Sequence, residues 1–283
     1  LVGAALALGA CAAGGEAPRA PTPSAEPAAD ARVLLEIVQL RGDVTSGHIE
    51  LRVTNEGDEL LEVTRAVYES TRWSAPMVRD DDARIPAGAR RNLRLQLPRA
   101  VCGAGPLEHR AVVELADGRR LEGAPEDPLG QLERLDDAEC DLRAFERDVA
   151  AVAWLEPAIP ADGSGPAVVR LELAPVARAQ GEAGTIAAVD ATALLAPLDA
   201  SGTRTESLPV GAALEPGAPP SVVEVPLVPG RCDLHAVAED KQGTLFRIRA
   251  TRGGEPVDLL LPSPDAQRDA LLDWVVARCA VLG

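Results

Sequence analysis

The sequence predicts a mainly β protein with two tandem antiparallel β-sandwich domains, each closed by a short C-terminal helix and one intradomain disulfide. Three observations predict this fold. Apolar and polar residues alternate over short runs, turn-forming residues separate those runs, and four of the five cysteines recur in a duplicated pattern. Short alternating strands joined by such turns are typical of β-sandwiches. With 283 residues the chain has room for about two domains, each with its own core.

The alternating runs occur in both halves of the chain. In the segment 48–53, Ile49, Leu51 and Val53 share one face, and the polar residues between them share the other. Comparable runs lie at 61–67, 93–97 and around Val112, and again at 169–173, 223–225 and 245–249. Turn sequences such as Asn55-Glu56-Gly57-Asp58 follow several of them, because Asn and Gly tolerate the backbone angles of tight connections.

The N-terminal residues predict an exported protein. Residues 1–10 are apolar and uncharged, which is typical of the end of a signal peptide. The run Leu8-Gly9-Ala10-Cys11 resembles a bacterial lipobox, and this resemblance implies that Cys11 becomes a lipidated mature N-terminus. Several acyl chains anchor firmly where one does not. Residues 12–31 are rich in Ala, Gly, Pro and Ser and predict a disordered tether.

Cys102, Cys140, Cys232 and Cys279 mark an internal duplication. Pro86 precedes Cys102 by 16 residues, and Pro216 precedes Cys232 by the same distance. After each of these cysteines comes a strand-like run (109–114 or 235–239) and a turn (Asp117-Gly118 or Gln242-Gly243). A helix-start signal then follows, at Asp127-Pro128 or Ser263-Pro264.

Four cysteines allow three disulfide connectivities. The duplication favours the intradomain pairs Cys102–Cys140 and Cys232–Cys279. Each pair would join the end of a predicted helix, at 128–139 or 264–279, to a strand. In the second helix Leu271, Trp274 and Val275 recur at helical spacing and are expected to pack on the sheet. The predicted organisation is a signal-peptide remnant (1–10), a lipidated cysteine with its tether (11–31), a first repeat (32–147) and a second repeat (148–283).

The segment 51–63 contains the pattern V-x-N-x-G-D-x-x-L-x-V, which resembles a stretch of immunoglobulin-like modules in bacterial surface proteins. The whole chain is similar to two-domain actinobacterial lipoproteins of unknown function. The second repeat departs from the pattern, since 175–184 has no matching Asn-x-Gly-Asp. The resemblance implies immunoglobulin-like sandwiches and a role in adhesion, scaffolding or ligand presentation, with no catalytic residues to transfer.

Residues that could carry chemistry are scattered. The histidines His48, His109 and His235 lack metal-ligand spacing, and the last two are expected at equivalent repeat positions. The acidic segments 80–82 and 136–139 lack the spacing of a calcium loop. Asp162-Gly163-Ser164-Gly165 is not a nucleophile elbow and predicts a loop. Arg41-Gly42-Asp43 matches an integrin-recognition tripeptide, for which a hairpin turn is the preferred interpretation.

The amino-acid composition disfavours some classes of function. The net charge of −16 and six aromatic residues disfavour nucleic-acid binding, which requires cationic grooves and stacking platforms. We therefore expect a non-enzymatic lipoprotein on the outer face of the cell membrane, without metal or cofactor, held to the membrane by lipid on Cys11. Its partner would be an envelope protein or wall component. The alternatives are a wall hydrolase that uses dispersed carboxylates, and a passive spacer or accessory subunit of a membrane complex.

Overall fold

Both halves of the chain form antiparallel, immunoglobulin-like β-sandwiches, as predicted. The computed structural model describes residues 32–177, 181–233 and 243–282. The predicted signal-peptide remnant, Cys11 and the tether lie outside these residues, as does His235.

The first half contains eight strands and two helices among the described residues. They are β1 (Val33–Val38), α1 (Arg41–Val44), β2 (His48–Asn55), β3 (Leu61–Ser70), β4 (Met77–Arg79), β5 (Ala83–Ile85), β6 (Arg90–Gln96), β7 (His109–Leu115), β8 (Arg120–Gly123) and α2 (Gln131–Asp148). One sheet has the order β1-β2-β6 and the other β4-β3-β7-β8, with β5 also paired to β3.

The second half repeats this plan. Its elements are β9 (Ala150–Ala158), β10 (Ala167–Pro175), β11 (Gly184–Asp190), β12 (Leu195–Pro197), β13 (Ser207–Leu214), β14 (Ser221–Pro229), β15 (Leu245–Arg252), β16 (Glu255–Pro262) and a last helix, here α3 (Asp265–Leu282). The sheets have the orders β12-β14-β10-β9 and β13-β11-β15-β16. The series β9-β10-β14 and β11-β15-β16 therefore correspond to β1-β2-β6 and β3-β7-β8, which supports the inferred duplication.

Period-two alternation places the aliphatic residues of each strand in the core. In β2, Ile49, Leu51 and Val53 are fully buried, and in β10 Val169 and Leu171 are fully buried. The β2–β3 turn is held by Asn55, whose side-chain nitrogen donates to the carbonyl oxygens of Glu59 (2.7 Å) and Ile85 (2.9 Å). This explains the asparagine of the V-x-N-x-G-D pattern as a structural residue that joins β2 to β5.

The two predicted disulfides are present, Cys102–Cys140 and Cys232–Cys279. The predicted bounds of the first helix are wrong, because α2 covers 131–148 instead of 128–139. It begins later because the Asp127 carboxylate accepts from the backbone N–H groups of Gln131 and Leu132, which caps the helix. It extends further because its C-terminal turns pack against the second half. Cys140 thus lies within the helix, and its partner lies in the β6–β7 connection.

Helix α2 belongs to both halves. Toward the first half, Gln131 exchanges two side-chain hydrogen bonds with the backbone of Gln39, at 2.9 and 3.0 Å. Toward the second half, Leu142 packs against the apolar core, and fully buried Phe145 is one of its members. The predicted boundary at 147/148 therefore falls at the end of a helix that both halves share.

One detail of the predicted duplication is wrong. The hairpin that follows Cys102 is β7–β8, and the equivalent hairpin after Cys232 is β15–β16. The counterpart of the turn at Asp117-Gly118 is therefore at 253–254 and not at 242–243, and β15 instead of 235–239 corresponds to β7. The prediction failed because both segments alternate in the same way, so the pattern alone did not choose between them.

Candidate interaction groove on the second half

The histidines serve the fold of the first half where the structure describes them. His109 lies at the start of β7, and its Nδ1 is 3.0 Å from the hydroxyl of fully buried Tyr68. Burial lowers the pKa of His109, and the nearby Asp127 charge opposes that effect. His48 Nδ1 is 3.2 Å from the hydroxyl of Ser46, which itself donates to the Gly42 carbonyl oxygen at 2.9 Å. Neither histidine pairs with a second imidazole among the described contacts.

The acidic segments carry ion pairs. In the β4–β5 connection the Asp80 carboxylate is 3.0 Å from Arg65 Nε. On α2 the buried Asp136 carboxylate accepts from Arg72 Nη1 at 2.6 Å, and Glu139 accepts from the Ala100 backbone N–H at 3.1 Å. Within the described residues no group of three or more His, Cys, Asp or Glu side chains is arranged to hold a metal ion.

The tripeptide Arg41-Gly42-Asp43 lies in the β1–β2 hairpin connection, as the turn interpretation predicts, and forms part of the short helix α1. The Asp43 side chain is buried and accepts from the Leu40 backbone N–H at 3.0 Å and from Arg94 Nε at 3.2 Å. Its carboxylate is therefore occupied within the fold.

The loop 162–165 connects β9 and β10, as predicted, and packs against α3. Trp274 Nε1 donates to the Gly165 carbonyl oxygen at 3.1 Å, and Arg278 Nη1 donates to the Gly163 carbonyl oxygen at 3.0 Å. Gly163 has φ of +67°, and a Cβ there would lie 2.6 Å from the Arg278 backbone nitrogen. Trp274 is buried together with Leu271 and Val275, which confirms its predicted place in the core.

A polar pocket of about 290 Å³ lies on the first half between the β3–β4 connection and the start of α2. Arg72, Leu107 and Asp136 are among its lining residues. Arg72 Nε and Asp136 Oδ1 are buried without a hydrogen-bond partner. Because a guanidinium and a carboxylate in direct contact line its wall, this partly open pocket offers the polar partners that ordered water needs.

An apolar groove lies on the open flank of the second half, between the edges of its two sheets. It has a volume of about 460 Å³. Its lining comes from β13, β14 and the connection after β12, namely Leu198, Asp199, Ala200, Leu208, Pro209, Val210, Ala212, Val222, Val223, Glu224 and Pro226. Leu208, Val210, Ala212 and Val223 pack against the core with part of their surface, whereas the Val222 side chain is 50% exposed.

Sequence reasoning predicted the strands of this groove but missed the groove itself. Segment 223–225 reads as an ordinary alternating strand, and nothing in it shows that its neighbour in the sheet is short. β12 pairs only with 227–229 of β14, so the stretch 221–225 has β10 on one side and the groove on the other. Pro209 and Gly211 within β13 were the available signal of an irregular edge.

The rim of the groove is acidic. Glu224 lines it from β14 and Asp199 from the loop after β12. Hydrogen bonds from the Ser201 hydroxyl and from the backbone N–H groups of Thr203 and Ser201 lower the pKa of Asp199, so this carboxylate stays ionised over the neutral range. An apolar floor with anionic sides can take an apolar segment that also carries positive charge.

Similar solved structures are distant from this chain. Red sea bream transglutaminase is 12% identical, with 82% of this chain and 32% of that chain covered and a TM-score of 0.26. The exo-chitosanase CsxA of Amycolatopsis orientalis is 13% identical, with coverages of 81% and 26% and a TM-score of 0.22. The B domain of a biofilm associated protein is 10% identical, with coverages of 86% and 88% and a TM-score of 0.19.

The chain spans about a third or less of the length of the two enzymes. No family model and no curated protein sequence matches it. In the described part of the chain no helix is long and apolar enough to cross a membrane. The candidate site therefore rests on the geometry of the groove.

Proposed function

We propose that the chain is a non-enzymatic lipoprotein of the cell envelope that binds a partner protein through the apolar groove of its second half. The observation that carries this proposal is the groove, where apolar side chains of β13 and β14 that pack on the core with part of their surface also meet solvent. Exposed apolar surface that is contiguous and has a polar rim is typical of interaction sites. Loops and edges on a rigid sandwich are usual places for such sites.

The envelope location rests on the sequence and agrees with the disulfides. The lipobox-like run before Cys11 and the tether over 12–31 would hold the sandwiches at the outer face of the membrane. At about 3.1 Å per residue, an extended tether of this length reaches roughly 60 Å. The two disulfides, one in each half, are typical of proteins that fold in an oxidising compartment.

The ion pairs of two buried aspartates favour binding over hydrolysis at these positions. Buried Asp43 and Asp136 each contact an arginine, Arg94 and Arg72 respectively. A general acid needs a proton to give and a path to substrate. A carboxylate that is paired with a guanidinium group instead stabilises the contact between the two segments that carry the pair.

The proposal is tested on the full chain in the cells that produce it. The envelope fraction is solubilised in mild detergent, and the size of the complex that contains the chain is measured by native electrophoresis. Val210→Asp places a charge on the inner side of the groove, where Val210 packs against the core with part of its surface, and should reduce the complex to the size of the free chain. Val257→Asp is the matched control, because Val257 is also a partly buried valine that packs against this core but does not line the groove. Thermal unfolding checks that both variants remain folded.

Two outcomes would contradict the proposal. A complex that survives Val210→Asp would exclude the groove as the binding surface, and a chain that runs alone from the start would favour the passive spacer. Mass spectrometry of the same fraction tests the anchor, since an acylated Cys11 is expected and an unmodified N-terminus elsewhere would overturn it.

A further inference from the structure

We propose that the partner binds as an additional β-strand along residues 221–225 of β14, and that this strand alternates apolar with basic side chains. The inference rests on the proposed function and specifies its binding mode and partner chemistry. Strand addition uses backbone hydrogen bonds for affinity and alternate side chains for specificity.

The direction of the β14 backbone groups follows from its neighbours. The Leu198 N–H donates to the Pro226 carbonyl oxygen at 2.8 Å, so residue 226 directs its backbone oxygen toward the β12 side. Backbone groups alternate between the two sides of an antiparallel strand. Val222 and Glu224 therefore direct their N–H and C=O groups toward the groove, whereas 221, 223 and 225 direct theirs toward β10. Proline at 226 agrees with this assignment, since it has no N–H to give to β10.

Four other strand edges in the described part of the chain, those of β1, β6, β9 and β16, are covered or carry charge. The backbone of Glu126 bonds to β1, with Ile37 N–H to Glu126 O at 2.7 Å and Glu126 N–H to Leu35 O at 2.8 Å. β9 and β16 lie against α2. β6 carries Arg90, Arg91 and Arg94 along its length. Charged residues, short strands and covering segments are the usual ways to block edge pairing.

The other edge of the groove, β13, is irregular. It contains Pro209, and its register with β11 shifts between Ile186 and Ala188. Gly211 lies in the same stretch and has φ of +66°. A proline and a bulge both interrupt ladder formation. In contrast, 221–225 reads Ser-Val-Val-Glu-Val, without proline or glycine, so β14 is the edge that can accept a strand.

The side chains of the groove favour a partner strand in which apolar and basic residues alternate. In an antiparallel pair, directly opposite residues point to the same face of the sheet. Partner residues opposite Val223 would point between the two sheets, over Leu208 and Val210, which suits apolar side chains. Partner residues opposite Val222 and Glu224 would point outward beside the acidic rim, which suits lysine or arginine. The net charge of −16 favours a basic partner at longer range.

The length of the site follows from the uncovered edge. The five residues 221–225 extend about 17 Å at the usual rise of a β-strand. A partner strand of five to seven residues would thus lie end to end with β12 in the same sheet. This would complete the row of strands on the open flank of the sandwich.

The test uses the full chain and an acetylated seven-residue peptide of alternating valine and lysine. Binding is measured by calorimetry, and amide hydrogen exchange is followed by NMR. We expect slowed exchange at the backbone amides of Val222 and Glu224, and little change at Val223 and Val225, which already pair with β10. Backbone N-methylation on the lysines should reduce affinity at least tenfold, because those amides face β14. N-methylation on the valines is the matched control and should cost much less.

Two variants separate the contribution of the Glu224 backbone N–H to peptide affinity from that of the Glu224 charge. Glu224→Gln removes the charge and keeps the N–H, and should weaken binding of the lysine peptide about two- to fivefold. Glu224→Pro removes both, without breaking a bond to β10, and should weaken it a further tenfold. Thermal unfolding of the two variants checks that both remain folded, and the N-methylated peptides test the same contact on the unchanged chain.

The outcomes distinguish this inference from the proposed function. If the peptide binds and Val210→Asp abolishes binding, but the amides of Val222 and Glu224 stay unprotected, strand addition is wrong and the groove is still a binding surface. If no alternating peptide binds while Val210→Asp still dissociates the native complex, the partner chemistry is wrong. If Val210→Asp leaves the native complex intact, the proposed function fails first.

Discussion

The two halves order six of their strands in the same way but differ in where they place polar and apolar side chains. The first half buries Asp43, Glu50, Asn55 and Asp136, whereas the described buried polar residues of the second half are the uncharged Thr244 and Gln267. The second half instead exposes apolar side chains along the groove. A duplicated fold has thus diverged toward internal ion pairs in one copy and an open flank in the other.

This difference indicates a different role for each half. Charges buried in the first half hold its connections in place, as when Arg72 joins the β3–β4 connection to α2 through Asp136. Burial and the Asp43 charge raise the pKa of Glu50, which shows how these groups act on one another. The second half buries no charged residue among those described, and its groove exposes apolar side chains that a partner could cover.

The two helices show a second contrast. α3 packs on its own half through Leu271, Trp274 and Val275. α2 follows the first half in sequence and contributes Phe145 to the core of the second. The Cys102–Cys140 disulfide therefore ties the first half to a helix that is built into its neighbour, whereas Cys232–Cys279 closes the second half on itself.

The largest expected effect on stability tests whether α2 is part of the core of the second half. Phe145→Ala should destabilise the second half by roughly 3–5 kcal/mol, because it removes a fully buried aromatic ring and leaves a cavity. Urea unfolding followed by tryptophan fluorescence measures it, with Trp154 and Trp274 as probes. Leu129→Ala, at a leucine that is 59% exposed just before α2, is the control and should change stability by less than about 0.5 kcal/mol. Equal effects would show that α2 is not part of that core.

A smaller loss of stability is expected when an ion pair is weakened, and one pair in each half is compared. Asp136→Asn should cost roughly 1–3 kcal/mol, because it weakens a buried, charge-assisted contact to Arg72. Asp190→Asn alters the pair with Arg249, whose side chain is half exposed, and should cost less than about 1 kcal/mol. Chemical unfolding of both variants gives the comparison. A larger loss at Asp190 would reverse the assignment of internal ion pairs to the first half.

The smallest effect is a pH dependence of the first half. Burial lowers the pKa of His109, so the folded chain binds this proton less readily than the unfolded chain. The stability that neutral His109 contributes is complete above its pKa in the unfolded chain, about 6.5. It is lost as the pH falls from there through the pKa in the folded chain. The unfolding midpoint of His109→Gln should therefore depend less on pH between 5 and 7 than that of the unchanged chain. Parallel profiles would contradict the assignment.

Local patterns predicted the strands, and the duplication predicted the disulfide pairs, because alternation and cysteine spacing are written within each repeat. The groove was not predictable in this way. It depends on β12 ending at Pro197, which leaves 221–225 of β14 without a neighbouring strand on that side. The sequence of 221–225 alone does not show where β12 ends. The length of α2 was missed for the same reason, since Leu142 and Phe145 find their partners in the other half.

The central claim is that the second half, through its groove, carries the partner. The direct test places a photoreactive amino acid at Val222 in the groove or at Leu107, which is 37% exposed beside the polar pocket of the first half. Intact cells are irradiated and the adducts are separated by size. We predict one discrete adduct from position 222 and none from position 107. An adduct from position 107 with none from position 222 would contradict the account.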